Sequence, residues 1–250
     1  MDIEKIKKNL KTRVFGNLHF EPSVDSTNVW AHRSGGMRGD VFIADFQTGG
    51  KGRLERPWES PAGKNILISI LDATPAPPGK SFQLSLVAGV SFLEGLSKAA
   101  PQIPFRLKWP NDILVMDKKL GGILTETRKL VTVVGVGLNI NTDSGDFSPD
   151  VVRLATSLKI LSGKDWSREE IIASCLNAYD LWREKFRTEG MKPVIAAWNE
   201  HNDLVGKKVT VNDGQTSFSG RAEGLDAEGF LVVNVNGENQ TVISGDVTCS

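Results

Sequence analysis

The stretch FRLKWPNDILVMDKKLGGILTET, residues 105–127, contains three largely apolar runs separated by short polar segments. The runs at 105–109, 112–116 and 119–127 predict three strands, because β-branched, aromatic and other apolar residues dominate them. The polar sequence MDKK between the second and third runs predicts a turn. Strands joined by so short a turn pair with each other, so residues 112–127 are expected to form an antiparallel β-hairpin.

The segments on either side of this stretch predict further strands and helices. Buried strands are expected at 40–47, 65–71 and 132–141. A turn-rich stretch around residues 75–79 precedes a helix expected over residues 81–98. Further helices are predicted over residues 2–12, over residues 151–161, and between Pro193 and His201. Two more are expected to begin at helix caps, one at Asp25 or Ser26 and the other at the capping box of Ser167 and Glu170.

The character of the sequence changes after Asn202. Short β-rich runs then alternate with the turn sequences NDG, DAEG and NG. A unit of roughly 45 residues is smaller than an independent core usually requires, so it is expected to pack on the preceding part of the chain. We therefore predict two domains, residues 1–202 and residues 203–250.

Composition excludes several classes of protein. Lys and Arg total 30 and so do Asp and Glu, so the chain has no basic excess of the kind that nucleic-acid binding normally requires. The two cysteines, Cys175 and Cys249, form no CxxC pair, which argues against a disulfide framework or a thiolate zinc site. No secretory signal and no apolar run of about 18 residues occurs. The sequence predicts a cytoplasmic protein with no nucleic-acid or membrane partner.

The segment GGKGRLERPW, residues 49–58, combines three glycines with the cations Lys51, Arg53 and Arg56. Glycine allows backbone N–H groups to approach a ligand closely, and successive N–H groups can form an anion-binding nest. Arginine can bind a carboxylate or phosphate through two parallel hydrogen bonds. The segment therefore predicts an anion-binding loop, with a flexible solvated loop as the alternative.

Polar side chains also interrupt the strands around the hairpin. Lys108, Asn111 and Asp112 surround a Trp-Pro bend, which predicts a cleft-facing group or an Asx-type turn. Lys119 precedes two glycines and is either a ligand contact or a solvated hairpin residue. Asn139 lies within the apolar GVGLNIN, where a buried partner or a ligand would satisfy its amide.

Five motifs occur in one order along the chain: DSTN, FQTGGKGRLERPW, LKWPND, KKLGGILTE and GVGLNIN. In order and spacing they resemble those of bacterial biotin–protein ligases, and the C-terminal ISGDVT is also similar. The resemblance covers about residues 20–141 and continues more loosely beyond them. It implies an α+β fold, with a mixed β-sheet backed by helices (class II synthetase-like) in a catalytic domain, residues 1–202, and a small SH3-like β-barrel in residues 203–250.

The resemblance also implies an activity. Enzymes of this family join the carboxylate of biotin to the α-phosphate of ATP and release pyrophosphate. They then transfer biotin from biotinyl-5′-AMP to a lysine of a biotin carboxyl carrier protein. Both steps crowd negative charge, so positioning and electrostatic stabilisation are expected to dominate catalysis. Mg²⁺ is expected to accompany ATP. The sequence indicates no metal ligand, because its three histidines are dispersed.

Several positions match those that bind biotin in the family. Hydroxyl and amide groups suit the neutral ureido ring, which offers two N–H donors and a carbonyl. The matching positions for this ring are Ser26, Thr27, Asn28 and Gln47. The loop that closes over the biotin carboxylate and the adenylate phosphate matches Gly50, Lys51, Gly52 and Arg53. Gly122 would let the strand backbone contact biotin, and Lys119 would approach its carboxylate. A plain helix N-cap is the alternative for Ser26.

Other positions match those near the nucleotide and the reacting atoms. The nucleotide set is Arg53, Arg56, Trp58, Lys108, Asn111 and Asn139. The catalytic set is Arg53, Lys108, Asp112 and Lys119. The two lysines would neutralise charge on the carboxylate and α-phosphate, and Asp112 would orient or deprotonate the incoming lysine amine. Part of residues 142–157 is expected to become ordered over adenine.

The sequence departs from the family pattern G-R-G-R-x-G-R at two positions. Lys51 replaces the first arginine, which keeps the charge but loses the planar fork. Glu55 replaces the last glycine. Only 24 residues precede Asp25, so the form without an N-terminal DNA-binding domain is expected.

Two rival functions use the same residues. A lipoate–protein ligase would apply the same adenylation chemistry to another acid. A non-catalytic biotin or adenylate sensor is the second rival, and only the departures at Lys51 and Glu55 favour it. The sequence does not identify the carrier protein, and it leaves a monomer and a homodimer both open.

Overall fold

The computed structural model describes residues 1–12, 15, 17–72, 80–129 and 131–249, so the turn expected around residues 75–79 lies outside the described residues. Its main sheet contains β1 (Leu18–Val24), β2 (Val41–Gln47), β3 (Ile66–Asp72), β4 (Arg106–Lys108), β5 (Asp112–Val115), β6 (Lys118–Arg128) and β7 (Val131–Leu138). The helices are α1 (Ile3–Asn9), α2 (Thr27–Arg33), α3 (Phe82–Ala99), α4 (Leu158–Ser162), α5 (Arg168–Glu189) and α6 (Lys192–His201).

The main sheet is mixed, as predicted. Its strand order is β1-β2-β3-β7-β6-β5-β4. Strands β1 and β2 run parallel, and all other neighbours are antiparallel. The predicted hairpin is β5–β6, whose turn places Met116 and Asp117 at positive φ, 50° and 61°. This hairpin brings Asp112 and Lys119 together from the ends of two paired strands.

Helices α3 and α5 pack against each other and share one hydrophobic core with the sheet. A Cβ added at Gly95 of α3 would lie 2.5 Å from the Cα of Cys175, so glycine permits the two helices to approach closely. Helix α5 begins as predicted, with the Ser167 hydroxyl accepting a hydrogen bond from the Glu170 N–H at 3.4 Å. Within the described residues, no helix combines the length and apolar character needed to cross a membrane.

The C-terminal part forms a second, entirely antiparallel sheet, which confirms the predicted small SH3-like β unit. Its strands are β8 (Lys208–Asn212), β9 (Ser217–Leu225), β10 (Leu231–Val235), β11 (Glu238–Val242) and β12 (Asp246–Cys249). Their order in the sheet is β11-β10-β9-β8-β12. It packs on the main part, since Trp109 Nε1 donates to the Gly229 carbonyl at 3.1 Å and the rings of Phe82 and Phe230 stack at 4.6 Å. The domain boundary between residues 202 and 203 stays a prediction.

Two local expectations differ from the fold. The helix predicted over residues 151–161 is wrong, because only α4 at its C-terminal end is helical. Instead, the Lys119 N–H donates to the Leu154 carbonyl at 2.8 Å, and the Thr156 N–H donates to the Lys119 carbonyl at 2.9 Å. This pairing with the start of β6 overrides the local helical pattern. Strand β1 was not predicted, since Pro22 interrupts it, but proline is tolerated in an edge strand.

Candidate active site

A cavity of about 350 Å³ lies between the glycine-rich loop, the start of α2 and the centre of strands β6 and β7. It collects most of the residues that the sequence predicted for the site. These are Ser26, Thr27, Asn28, Gln47, Lys51, Gly52, Arg53, Arg56, Trp58, Asn111, Asp112, Lys119, Gly122 and Asn139. Gly50 and Lys108 do not line it. The Gly50 carbonyl accepts from the Trp58 N–H at 2.9 Å, and the Lys108 carbonyl accepts from the Asn111 N–H at 3.2 Å.

The glycine-rich loop folds back on itself beside this cavity. The Gly52 N–H donates to the Arg56 carbonyl at 2.8 Å, and Lys51 forms an isolated bridge with Pro57. At the tip, Leu54 and Glu55 take φ values of 55° and 58°. Residues other than glycine seldom adopt this left-handed backbone conformation, which explains why the family pattern has glycine at the position of Glu55. The Glu55 carboxylate pairs with the Lys51 ammonium group, so the two departures from the pattern contact each other.

Arg53 is the loop cation most enclosed by protein. Burial lowers the pKa of its guanidinium, while the negative charges of Asp246 and Asp112 act in the opposite direction. Nη2 of Arg53 donates to the Gly245 carbonyl at 3.4 Å. In contrast, Lys51 and Arg56 are exposed. A partly desolvated guanidinium attracts an anion more strongly than a solvated one, which makes Arg53 the strongest anion-binding candidate in the loop.

Lys119 and Asp112 form an ion pair in the cavity, with Nζ 2.7 Å from Oδ1. The register of β5 and β6 sets Asp112 opposite Gly122, whose missing side chain leaves room for the Lys119 amine. A Cβ at Gly122 would lie 3.2 Å from Lys119 Nζ. Nζ also lies 5.7 Å from the centroid of the Trp58 ring, within cation–π range. A cation, a carboxylate and an aromatic ring therefore meet at the same wall of the cavity.

Thr27, Asn28 and Gln47 line another part of the cavity and are connected by hydrogen bonds to polar groups behind them. Gln47 Oε1 accepts from the N–H of Thr27 at 2.7 Å and from its hydroxyl at 3.0 Å. The Ser69 hydroxyl lies 2.8 Å from Thr27 Oγ1 and 2.6 Å from Asn28 Oδ1. Asn28 Nδ2 donates to Glu126 Oε2 at 2.7 Å. These contacts fix the hydroxyl and amide groups, and they leave Gln47 Nε2 as a donor near the loop.

Glycines in β7 create the space for this arrangement. A Cβ at Gly137 would lie 2.6 Å from Trp58 Cε2, and one at Gly135 would collide with Asn28 Oδ1. Both lie on the same face of the strand, because side-chain positions two residues apart share a face. The alternating glycines of TVVGVGLN were a sequence signal for this surface. The indole N–H of Trp58 is buried without a hydrogen-bond partner, so an acceptor on a bound ligand would satisfy it.

The two predicted amides act differently in the structure. Asn111 Nδ2 donates to the Ile123 carbonyl of β6 at 2.8 Å, which is a contact with a neighbouring strand and not the hydrogen bond of an Asx-type turn. Asn139 is buried, and its Oδ1 accepts from Asn65 Nδ2 at 3.4 Å. Both nevertheless line the cavity. Sequence reasoning missed Ser69, Gly135, Gly137 and Asp246 as site residues.

No group of three or more His, Cys, Asp or Glu side chains arranged to hold a metal ion occurs among the described residues. The carboxylates that line the cavity are Glu59, Asp112 and Asp246. A Mg²⁺ ion carried by nucleotide phosphates needs only one or two protein carboxylates, so this set fits such an ion.

The chain belongs to the biotin/lipoate A/B protein ligase family. The model of that family matches residues 22–143, and the model of the biotin protein ligase C terminal domain matches residues 204–248. Sequence relatives agree along nearly the whole chain. It is 32% identical to the bifunctional ligase/repressor BirA of Bacillus subtilis over 97% of this chain and 77% of that protein. It is 33% identical to the biotin–[acetyl-CoA-carboxylase] ligase of Mycobacterium tuberculosis over 84% and 78%.

A solved structure supports the same assignment. The biotin protein ligase from Aquifex aeolicus, in complex with biotin and ATP, aligns with a TM-score of 0.87 at 30% identity. The alignment covers 94% of this chain and 100% of that chain. The predicted family and fold are confirmed, and the chain is a ligase.

Proposed function

We propose that this chain is an ATP-dependent biotin–protein ligase that forms biotinyl-5′-AMP and transfers biotin to a lysine of a biotin carboxyl carrier protein. The observation that carries the proposal is that one cavity holds both fixed neutral hydrogen-bonding groups and several cations. Biotin requires both, since its ureido ring is neutral and its carboxylate is charged. The sequence relatives and the solved complex with biotin and ATP support the same substrates.

The neutral set is proposed to hold the ring of biotin. Thr27, Asn28 and Gln47 offer a hydroxyl and two amides in positions fixed by Ser69 and Glu126. Side chains fixed by other hydrogen bonds lose little freedom when a ligand binds. The bare surface over Gly122 and Gly137 lies beneath Trp58, where the aliphatic chain of biotin would contact the indole.

The cationic set is proposed to act in adenylation. A carboxylate oxygen of biotin attacks the α-phosphorus of ATP, a new O–P bond forms, and the bond to the bridging oxygen breaks as pyrophosphate leaves. Lys119 and Arg53 line the cavity and would neutralise the charge that gathers around this phosphorus. Lys108 does not line the cavity, so its predicted role receives no support from its position.

Asp112 is proposed to act in transfer. The amine nitrogen of the carrier lysine attacks the biotinyl carbonyl, the bond to the adenylate oxygen breaks, and AMP leaves. The amine must lose a proton, and Asp112 is the carboxylate beside Lys119 in the cavity. A carboxylate within hydrogen-bond reach can orient and deprotonate the amine. Mg²⁺ is proposed to arrive with ATP and to offset phosphate charge, and the carboxylates that line the cavity would help to hold it.

Residues 142–157 are proposed to contribute to the nucleotide site. Phe147, Val151, Leu154 and Ala155 line the cavity. The start of this segment is held by an ion pair, in which the Lys64 amine lies 3.0 Å from an Asp143 carboxylate oxygen. An apolar wall of this kind suits a flat base such as adenine.

The function is tested by ATP–pyrophosphate exchange with biotin or lipoate as the acid. We expect exchange with biotin, and exchange with lipoate alone would establish the lipoate ligase instead. Incubation with ATP, biotin and an apo carrier domain, followed by streptavidin detection, tests the transfer step. If ATP–pyrophosphate exchange occurs but biotin is not transferred to the carrier domain, the carrier-protein assignment is wrong. If the protein binds biotin but catalyses no exchange, it is the non-catalytic sensor.

Gly137→Ala is expected to weaken biotin binding by about tenfold. The added Cβ would lie 2.6–2.9 Å from three atoms of the Trp58 indole and would push that ring into the cavity, an overpacking that typically costs about 1–3 kcal/mol. Isothermal titration of the purified protein with biotin measures the effect. Gly145→Ala is the control, because its Cβ would meet nothing within 4 Å. Unchanged affinity in Gly137→Ala would show that Trp58 does not bound the biotin site.

A further inference from the structure

The glycine-rich loop is attached to the C-terminal sheet through two arginines. The Arg56 guanidinium forms an ion pair with the Asp246 carboxylate. Nη2 of Arg53 donates to the carbonyl of Gly245, the preceding residue, at 3.4 Å. Asp246 also lines the cavity. Part of the cavity wall therefore comes from the small β unit, about 190 positions further along the chain.

The acceptors for these arginines lie on fixed backbone. Gly245 has a φ of 137°, and a Cβ there would lie 2.8 Å from the Asn212 carbonyl oxygen. A side chain is therefore excluded at this position. Asp246 begins β12 and pairs with Asn212 of β8. The carboxylate is thus carried by a paired strand, and the Gly245 carbonyl directly precedes that strand, so neither position depends on the loop.

The contacts within the loop, Gly52 N–H to the Arg56 carbonyl and Lys51 with Glu55, join its two limbs but do not attach its tip to neighbouring elements. At the base, the Gly49 N–H donates to the Asp25 carbonyl at 2.8 Å, and Trp58 packs on Gly137. At the tip, Leu54 is 68% exposed, and it shares with Glu55 a positive φ that side-chain residues seldom adopt. The contacts of Arg53 and Arg56 with the C-terminal sheet lie on either side of this tip.

We propose that Asp246 is a positioning residue that holds the glycine-rich loop across the cavity through Arg56, so that Arg53 lies where the substrate anion forms. The effect on adenylate retention rests on the proposed function, whereas the contact between Arg56 and Asp246 does not depend on it. A loop that is already held pays less ordering entropy when the ligand binds. The C-terminal unit thereby helps to retain the acyl-adenylate until the carrier lysine arrives.

The charges around Arg53 supply a second reason. Two carboxylates act on its guanidinium, Asp246 from the C-terminal sheet and Asp112 from β5. Asp112 is already paired with Lys119. Asp246 is therefore the acid of the C-terminal sheet whose charge favours the present positions of both loop arginines.

The contact is tested without any substrate by limited digestion with trypsin, which cleaves after Lys51 and Arg53 but not between Arg56 and Pro57. Asp246→Asn is expected to raise the initial rate of cleavage at these two bonds by about threefold, the size expected for loss of one exposed ion pair. Arg56→Gln should have the same effect, and the double variant should have no larger one, because both changes break one contact. Equal cleavage of Asp246→Asn and the unaltered chain would overturn the proposal.

The functional consequence is tested by the rate at which biotinyl-5′-AMP leaves the protein. Asp246→Asn is expected to speed this release by about threefold and to raise KM for ATP while kcat of adenylation changes less. Asp246→Glu should restore part of the retention, since it keeps the charge. Glu238→Gln is the control, because Glu238 is an exposed acid on β11 at the opposite edge of the same sheet.

The outcomes separate this inference from the function on which it rests. If the unaltered chain forms no biotinyl-5′-AMP, the proposed function is wrong, and the trypsin result still decides whether the contact holds the loop. If the unaltered chain forms and retains the adenylate but Asp246→Asn retains it equally well, the positioning role is wrong. Thermal unfolding midpoints of all variants identify general loss of stability. Arg56→Gln replaces a destabilised Asp246 variant in the trypsin assay only, because Arg56 is itself a predicted nucleotide contact that lines the cavity.

Discussion

Lys119→Ala is expected to lower the rate of biotin-dependent ATP–pyrophosphate exchange by about 10²–10³-fold, the usual effect of removing one preorganised electrostatic group from an active site. The Lys119 amine lies in the cavity, 2.7 Å from Asp112 Oδ1 and 5.7 Å from the Trp58 centroid. These contacts hold the charge in one place before the substrate binds. Because the cation would offset negative charge that develops only as the phosphorus is attacked, the loss should appear in kcat as well as in kcat/KM.

The neighbouring residue supplies a matched control. Lys118 is exposed and points to the opposite face of β6, so Lys118→Ala should leave exchange within about twofold of the unaltered chain. Exchange is measured with both variants at saturating biotin, and their circular dichroism is compared to confirm folding. Normal adenylate formation by Lys119→Ala would remove this residue from the reacting centre and would leave the Asp112 pair as a structural contact.

Arg53→Ala is expected to speed the release of biotinyl-5′-AMP by about 10–100-fold, the range for losing a hydrogen bond to a charged group. Arg53 is partly buried, so its charge is less screened than that of the exposed Lys51 or Arg56. Arg53→Lys should retain part of the effect, because lysine keeps the charge but lacks the planar fork that grips two oxygens. The release rate is measured by a chase with unlabelled biotin and ATP.

Arg187→Ala serves as the control for Arg53→Ala. Arg187 is exposed on α5 and pairs with Glu184, so its loss removes a cation of the same kind far from the loop. If Arg53→Ala releases the adenylate as slowly as the control does, the proposal that the loop closes over the anion through Arg53 is wrong. A large loss of exchange with unchanged release would instead confine Arg53 to the adenylation step.

Much of the fold could be predicted from local patterns. The hairpin β5–β6 was predicted because two apolar runs flank a polar turn, and the start of α5 was predicted because Ser167 can cap the Glu170 N–H. Patterns of this kind report hydrogen bonds between residues a few positions apart. The helix expected at 151–161 failed because its residues pair with Lys119, more than thirty positions earlier in the sequence.

The site was predicted in a similar, partial way. The sequence by itself determined which residue types this chain offers, namely a glycine-rich cationic loop, a polar set near Ser26 and the lysines and acids of the hairpin. It also determined the family, because several motifs stand in one order. It did not indicate the bare strand face at Gly135 and Gly137, because only the structure shows that Asn28 and Trp58 fill the space beside these glycines.

Only the tertiary structure decided which of these groups meet. It paired Lys119 with Asp112, paired Lys51 with Glu55, and left Lys108 outside the cavity. It also brought Asp246 to Arg56 across 190 positions of the chain. The physical reason is that the two sheets pack on one hydrophobic core, which places β12 beside the loop. Local sequence patterns in the two segments do not predict this packing.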